Sequence, residues 1–266
     1  MLTKFKSHLK KVLPAPIYNF LCVLYNRIVC NRKDFLSIIS FMLKITPKLS
    51  AKDKYHIVKQ LYIITSSIES PHTQEEILNF IKSIIASPQG RKGVVVEAGC
   101  FKGGSTAKFS LAADLVGRTL VVFDSFEGIP ENVEPHDKNI FGGNASFKKG
   151  DYCGTLEEVK SNVKQFGRID CCKFIKGWFE ETMPGFKEPV SAIYLDVDLA
   201  SSTETCIKYL YPLLEEGGVL YSQDGHLPLV IEVFNNDEFW LKEVGYKKPK
   251  IHGLWKKKLI KVVKEA

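Results

Sequence analysis

The sequence predicts a Rossmann-like α/β fold: a doubly wound, mostly parallel sheet preceded by an N-terminal helical extension. Three observations lead there. From residue 94 onward, short β-branched runs alternate with helix-length stretches, the texture of repeated β-α-β units. Four of the strand-like runs end in polar residues, at Glu97, at Asp124, at Asp196 with Asp198, and at Gln223 with Asp224; ligands of such sheets bind beyond the C-terminal strand ends. At 266 residues, 45% hydrophobic and 25% charged, the chain can bury the core of one large domain.

The elements follow in order. Residues 1–70 read as the helical extension, a lid, dimer or membrane-surface element, and residues 71–266 as the ligand-binding domain. Within residues 1–60 the helical texture is punctuated by Pro14, Pro16 and Pro47. The charge-free run from Val12 to Asn26 is too short and too interrupted by Pro and Asn to span a bilayer, and no small-residue cleavage site follows it cleanly. Residues 72–86 form an amphipathic helix. Thr73 is its N-cap, Glu76 closes a capping box, and Ile77, Phe80, Ile81, Ile84 and Ile85 make one apolar stripe. Strands are expected at 94–98, 119–124, 171–176, 192–198 and 218–224. Helices are expected at 105–116, 155–166, 202–214 and 229–243, with a final hairpin in the last 20 residues.

Composition excludes several classes. Seven cysteines occur without CxxC or zinc-type Cys/His spacing, which points to reduced thiols rather than a disulfide framework. The net charge of +7 is uneven: residues 1–60 carry 12 Lys/Arg against two acids, residues 247–266 carry eight Lys against one Glu, and the middle is left at −10. No aromatic-plus-basic nucleic-acid module accompanies the basic ends, so no specific nucleic-acid partner is expected. The basic N-terminus suits a solvated face or peripheral contact with an anionic membrane. A cytoplasmic protein, membrane-associated at most and open to homo-oligomer formation, is the expectation.

The richest segment is EAGCFKGGST. Gly99, Gly103 and Gly104 let the backbone turn sharply and approach a ligand, and the helix opening at Ser105 offers free N–H groups to an anion. The G-x-x-x-G-G spacing differs from the dinucleotide G-x-G-x-x-G. Glu97, at the strand end, can approach an ammonium group, and Asp124 is placed to accept two ribose hydroxyls. Farther on, Asp196 and Asp198 flank Val197 and would point the same way on an extended strand, with Asp224 at the end of the next. Hard oxygen donors so placed suit Mg²⁺ or another divalent cation; alternatively they are helix caps, with Asp198 capping the helix near Ser202. His226, two residues past Asp224, can serve as a general base. His72, His136 and His252 have weaker claims, and the loop Glu131–Gly150 reads as a lid or an ordinary surface loop.

VVEAGCFKGGST, VVFDSFEGIP, FIKGWFEETMP, YLDVDLASSTETCIKYLYPLLEEGGVLYSQDG and VIEVF occur in the order seen in the macrocin O-methyltransferase (TylF/MycF-like) family, which the chain resembles over about residues 94–234. The resemblance implies a class I methyltransferase fold. It also implies methyl transfer from S-adenosylmethionine to a sugar hydroxyl of a glycan or glycosylated metabolite, with Mg²⁺ holding the acceptor. It places Glu97, Gly99, Gly103, Gly104 and Ser105, and the stretch Asp124, Ser125, Phe126, Glu127 and Gly128, at the cofactor. Asp196 matches the family's metal ligand and base. The family's DDY becomes Gln223-Asp224-Gly225, so that Asp196, Gln223 and Asp224 are the implied metal ligands, one of them an uncharged amide. The family's Tyr-Glu pair becomes Ala200-Ser201.

The function expected is therefore an S-adenosylmethionine-dependent O-methyltransferase, assisted by a divalent metal, with Asp196 or His226 taking the proton. The alternatives are a small-molecule methyltransferase that needs no metal, a dinucleotide oxidoreductase, and a degenerate methyltransferase fold used as a binding subunit. The acceptor itself is a small molecule or glycan that the sequence does not specify.

Overall fold

The structure is a computed structural model and describes residues 32–44, 46, 49–86 and 93–265. The segment Val12–Asn26 and the three N-terminal prolines lie outside the described residues. Two helices come first, α1 (Arg32–Leu43) and α2 (Ala51–Ser67), then α3 (Gln74–Ala86). The αβ layers follow as β1 (Val94–Ala98), α4 (Gly104–Leu115), β2 (Leu120–Asp124), α5 (Leu156–Phe166), β3 (Cys172–Lys176), α6 (Phe179–Thr182), β4 (Val190–Leu195), α7 (Ala200–Leu210) and β5 (Leu214–Ser222). The chain closes with α8 (Pro228–Asn235), the single turn α9 (Asp237–Phe239), a π-helical turn (Trp240–Val244), and the hairpin strands β6 (Ile251–His252) and β7 (Ile260–Val263).

The seven strands lie in the order β3-β2-β1-β4-β5-β7-β6. β1 to β5 are parallel, and β7 is antiparallel to both of its neighbours. β1 is the pivot. It pairs with β2 on one side and β4 on the other, so the strand order reverses there and a crevice opens beyond its C-terminal end. Its five residues are all buried because helices cover both faces. Alternation then divides the core. Val95 faces α3 and α4, with Ile77, Phe80 and Phe109, whereas Val94, Val96 and Ala98 face α7 and α8, with Ile207, Val230 and Phe234.

On the first face Phe80 of α3 meets Phe109 of α4 edge-on, with ring centroids 4.8 Å apart, and Tyr194 of β4 packs 5.0 Å from Phe80 and 4.8 Å from Phe109. Burying one such ring contributes about 1.5–3 kcal/mol. Ile57, Leu61 and Ile64 of α2 join the same apolar cluster, so the N-terminal helices share the core of the sheet. The capping box of α3 forms as expected, Thr73 N–H donating to Glu76 Oε2 (2.9 Å) and Glu76 N–H to Thr73 Oγ1 (3.3 Å).

Four expected elements shift their boundaries, one of them β5, which runs Leu214–Ser222 instead of 218–224. β4 stops at Leu195 instead of continuing to Asp198, because Asp198 takes a left-handed conformation (φ 59°). The helix expected at 202–214 begins at Ala200 and ends at Leu210, just ahead of Pro212, which lacks the N–H that a continuing helix needs. The helix expected at 229–243 breaks at Asn236, whose side chain caps α9 by accepting from Glu238 N–H and Phe239 N–H (3.0 Å each). No helix among the described residues is long and apolar enough to cross a membrane. The described cysteines are free thiols.

Candidate functional site

A cleft opens where β1, β2, β4 and β5 end. Gly99, Gly104, Ser105, Asp124, Ser125 and Gly128 line one side, and His72, Asp196, Asp198, Asp224, His226 and Lys258 the other. Glu97, Gly103, Phe126, Glu127 and Gln223 lie outside its wall.

The first side is built by the β1–α4 turn. Gly99 sits at φ 82°, and a Cβ there would stand 2.0 Å from the Asp196 carbonyl oxygen, so only glycine permits this contact between turn and β4. Gly103, at φ 79°, starts α4 with no capping side chain, leaving the first-turn N–H groups at Gly104 and Ser105 facing the cleft. Asp124 ends β2. Its Oδ2 accepts from Cys100 N–H and its Oδ1 from Phe126 N–H, both at 2.7 Å. Those bonds fix the carboxylate while leaving a second lone pair on each oxygen for a diol. Burial raises its pKa, and the backbone donors pull it back only in part.

Glu97 is fully buried, and no hydrogen bond of good geometry reaches either carboxyl oxygen, although the Ser105 and Thr106 hydroxyls lie close. Burial pushes its pKa up to about 8; the hydroxyls of Ser105 and Thr106 draw it down, and the charges of Asp196 and Asp124 add to the rise. The acid stands behind the turn rather than in the cleft wall.

The second side is held from three directions. Asp196, just past β4, accepts from His72 Nε2 at 2.7 Å, and His72 Nδ1 lies 3.1 Å from Ser70 Oγ. His72 precedes the capping box of α3, which fixes the ring's approach. Burial raises the Asp196 carboxyl, but the charge and hydrogen bond of His72, joined by Lys258 and His226, outweigh it and hold the pKa below the usual carboxylate range. Asp224 turns inward, its Oδ2 accepting from Val197 N–H (2.9 Å) and Asp198 N–H (3.2 Å). Burial, then the charge of Asp196, pushes Asp224 to about 7. Asp198 is raised well above its ordinary value by burial and by Asp224 and Asp196. His226 is pushed down to about 4 by burial and by Lys258, so the imidazole is neutral and weakly basic near pH 7.

Two expectations are corrected here. Asp198 does not cap α7. Glu134 of the long loop does, its carboxylate accepting from Ala200 N–H (2.8 Å), Ser201 N–H (2.9 Å) and Ser201 Oγ (2.6 Å). Glu134 also pairs with His136 Nε2 at 2.9 Å, and Ile140 N–H donates to the His226 carbonyl (2.9 Å). The loop is thus tied to the start of α7 and to the segment after β5, and its Asn144, Ala145 and Phe147 line the cleft. Nor does the trio Asp196, Gln223 and Asp224 converge. Gln223 is fully buried and accepts from Tyr194 OH at 3.0 Å, away from the cleft; Asp196 is committed to His72, and Asp224 to backbone N–H groups. Among the described residues no three His, Cys, Asp or Glu side chains gather as a metal would need. With Gln223 turned away and one oxygen each of Asp196 and Asp224 already taken, the three implied ligands do not form a divalent-cation site as they stand.

A profile of the family described as macrocin-O-methyltransferase (TylF) matches residues 74–236, more than half of the chain and the whole span from α3 through β5. The chain belongs to the macrocin O-methyltransferase family. Among relatives in this family, it is 32% identical over 152 residues to the 8-demethyl-8-(2,3-dimethoxy-alpha-L-rhamnosyl)-tetracenomycin-C 4'-O-methyltransferase of Streptomyces olivaceus, covering 54% of this chain and 56% of that one. To the mycinamicin III 3''-O-methyltransferase of Micromonospora griseorubida it is 32% identical over 149 residues, covering 52% and 58% respectively. These matches span a little over half the length of each relative. Solved structures show the fold. The O-methyltransferase NovP superposes with a TM-score of 0.62 at 18% identity, over 80% of this chain and 100% of that one. The calicheamicin methyltransferase CalS11 gives 0.54 at 15%, over 81% and 94%. The chain thus shares the fold of these methyltransferases, with its central parallel sheet.

Sequence reasoning ranked His72 low and passed over Glu134 and Lys258. His72 lies 124 positions from Asp196 in a turn with no recurring spacing. Lys258 sits in a run of three lysines that nothing local distinguishes.

Proposed function

We propose that the protein transfers a methyl group from S-adenosylmethionine to a hydroxyl of a glycosylated small molecule. The observation that carries this reading is a single cleft joining the Gly99–Ser105 turn and Asp124 to an Asp196 held by a hydrogen bond from His72. Bound S-adenosylmethionine supplies an electrophilic methyl group on a positively charged sulfur. The fit on the cofactor side rests on the uncapped N–H groups of α4 and the carboxylate of Asp124, both in the cleft wall.

The chain's own residues do the rest. His72 holds Asp196 by Oδ2, which leaves Oδ1 to accept a hydrogen bond from an acceptor hydroxyl and then its proton. His226, neutral near pH 7, offers a second acceptor. Ala145 and Phe147 line the cleft with apolar surface, and a cleft that held donor and acceptor in line would lower the entropic part of the barrier. The sugar substrates named for the relatives favour a glycosylated acceptor here.

Isothermal calorimetry with S-adenosylhomocysteine tests the cofactor half, and absence of heat at saturating ligand would sink it. Asp196→Asn tests the acceptor half. Loss of the base is expected to lower turnover by about 10²–10⁴-fold with cofactor affinity unchanged. Turnover at the wild-type rate would remove Asp196 from the chemistry.

A further inference from the structure

α1 is apolar on two sides, and the core covers one of them. Phe41 is buried, and Ile38 packs against the same apolar cluster. On the other side Phe35, Leu36, Ile39 and Leu43 are 42%, 55%, 38% and 77% exposed. At about 3.6 residues per turn these four fall within an arc of about 100°, one continuous face. The charge around that face is one-sided. Residues 32–60 hold seven Lys/Arg and two acids, and residues 1–31 add five Lys/Arg and no acid. Both acids are engaged at helix N-termini. Asp34 is buried and accepts from Glu75 N–H of α3 (2.8 Å), and Asp53 closes the capping box of α2, accepting from Ser50 N–H (2.9 Å). Lys44, Lys52 and Lys59 are left exposed. α1 runs in the same sense as α3, with Asp34 at the first turn of α3 and Ser37 Oγ accepting from Lys82 Nζ farther along (3.3 Å). The apolar face therefore starts beside the turn that carries His72 into the cleft.

We propose that this face of α1 docks on an anionic lipid bilayer, its apolar side chains entering the headgroup–acyl boundary and the surrounding lysines meeting lipid phosphates. Both halves are needed. Four partly exposed apolar side chains offer too little area to hold a chain on a membrane by burial alone, and a basic stretch supplies only a screened, reversible attraction. Together they make the apolar face with a cationic rim that interfacial helices use. A second copy of this chain is a poorer occupant, because two such faces would bring their cationic rims against each other. Docking along α1 sets the His72 end of the cleft close to the lipid surface. Nothing in this docking depends on what the cleft binds.

Vesicle co-sedimentation of the full chain provides the test. Vesicles of phosphatidylcholine are compared with vesicles containing about one third phosphatidylglycerol, and wild type is expected to partition at least about tenfold more strongly onto the anionic ones. Raised salt is expected to weaken that binding. Leu36→Asp with Leu43→Asp should lower it at least about tenfold, with an unchanged melting temperature showing that the fold stands. Lys52→Glu with Lys59→Glu should weaken it as well, by removing part of the rim. A wild type that pellets with neither vesicle would overturn the proposal. So would binding that survives Leu36→Asp with Leu43→Asp, which would leave the basic residues acting alone. Light scattering decides the rival occupant. A dimer that Leu43→Asp turns into a monomer, in a protein that ignores vesicles, would make the face an interface between copies and defeat membrane docking.

Discussion

Glu97 shows how one residue serves the fold at a cost that pH reveals. Its carboxyl is buried without a hydrogen bond of good geometry and titrates at about 8, against 4.5 when exposed. Between those values the unfolded chain has lost the proton and the folded chain keeps it, so the folded state binds more protons and stability falls as pH rises through the window. Above about pH 8 the loss is complete. Glu97→Gln is expected to remove this share of the slope, so that its melting temperature gains on wild type from about pH 5 to about pH 9. Asp224, raised to about 7, leaves a residual slope of the same sign in both proteins. Parallel melting profiles by scanning fluorimetry would show that Glu97 ionises freely in the folded protein. Gly99 is the stricter case: at φ 82°, with a Cβ 2.0 Å from Asp196 O, Gly99→Ala should cost more than about 1 kcal/mol in denaturant unfolding.

Between elements, helices and strands meet through a few contacts that can be cut singly. Phe80 joins α3 to α4 and β4, and Phe80→Ala is expected to lower stability by about 3–5 kcal/mol in urea unfolding. Glu134 joins the long loop to the N-terminus of α7. Glu134→Ala should cost about 1 kcal/mol and speed amide exchange through residues 137–147, while α3 exchanges as before. Local patterning announced the first contact but not the second. The apolar stripe of α3 has a helical period, and its capping box is a local signature, so both were legible in the sequence, as were the five parallel strands with their β-branched runs. A cap supplied from 66 residues away is not written in any window around Ala200. For the same reason the early start of α7 and the left-handed Asp198 escaped a reading that assumed an extended strand. In the site, the Gly-rich turn and Asp124 were readable because the ligand-facing features are contiguous. The partnership of Asp196 with His72, and the turning of Gln223 toward Tyr194, depend on how α3 and β4 stack.

For the whole molecule, the cleft is assembled from pieces far apart in the chain, and a ligand there should brace all of them. With S-adenosylhomocysteine at 100 times its Kd, mass action adds about 2.7 kcal/mol, which for a chain of this size raises the melting temperature by roughly 5–10 °C. Scanning fluorimetry reads this directly, and an unmoved transition would mean that the cleft does not take the cofactor. Because Asp124 and the α4 turn lie on the cofactor side and Lys258 on the other, Lys258→Met is expected to leave that shift in place.

The sheet order has a bearing on how the protein is made. β7 is the last strand in sequence, but it lies inside the sheet, between β5 and β6. During synthesis from the N-terminus, β5 therefore emerges with an unpaired edge and waits for residues 260–263 before its hydrogen bonds are taken up. Exposed edges of this kind invite pairing with other chains. The interval between β5 and β7, some forty residues that include α8 and the π-helical turn, is one in which that edge stays open, and β1 waits longer still for β4 at residues 190–195.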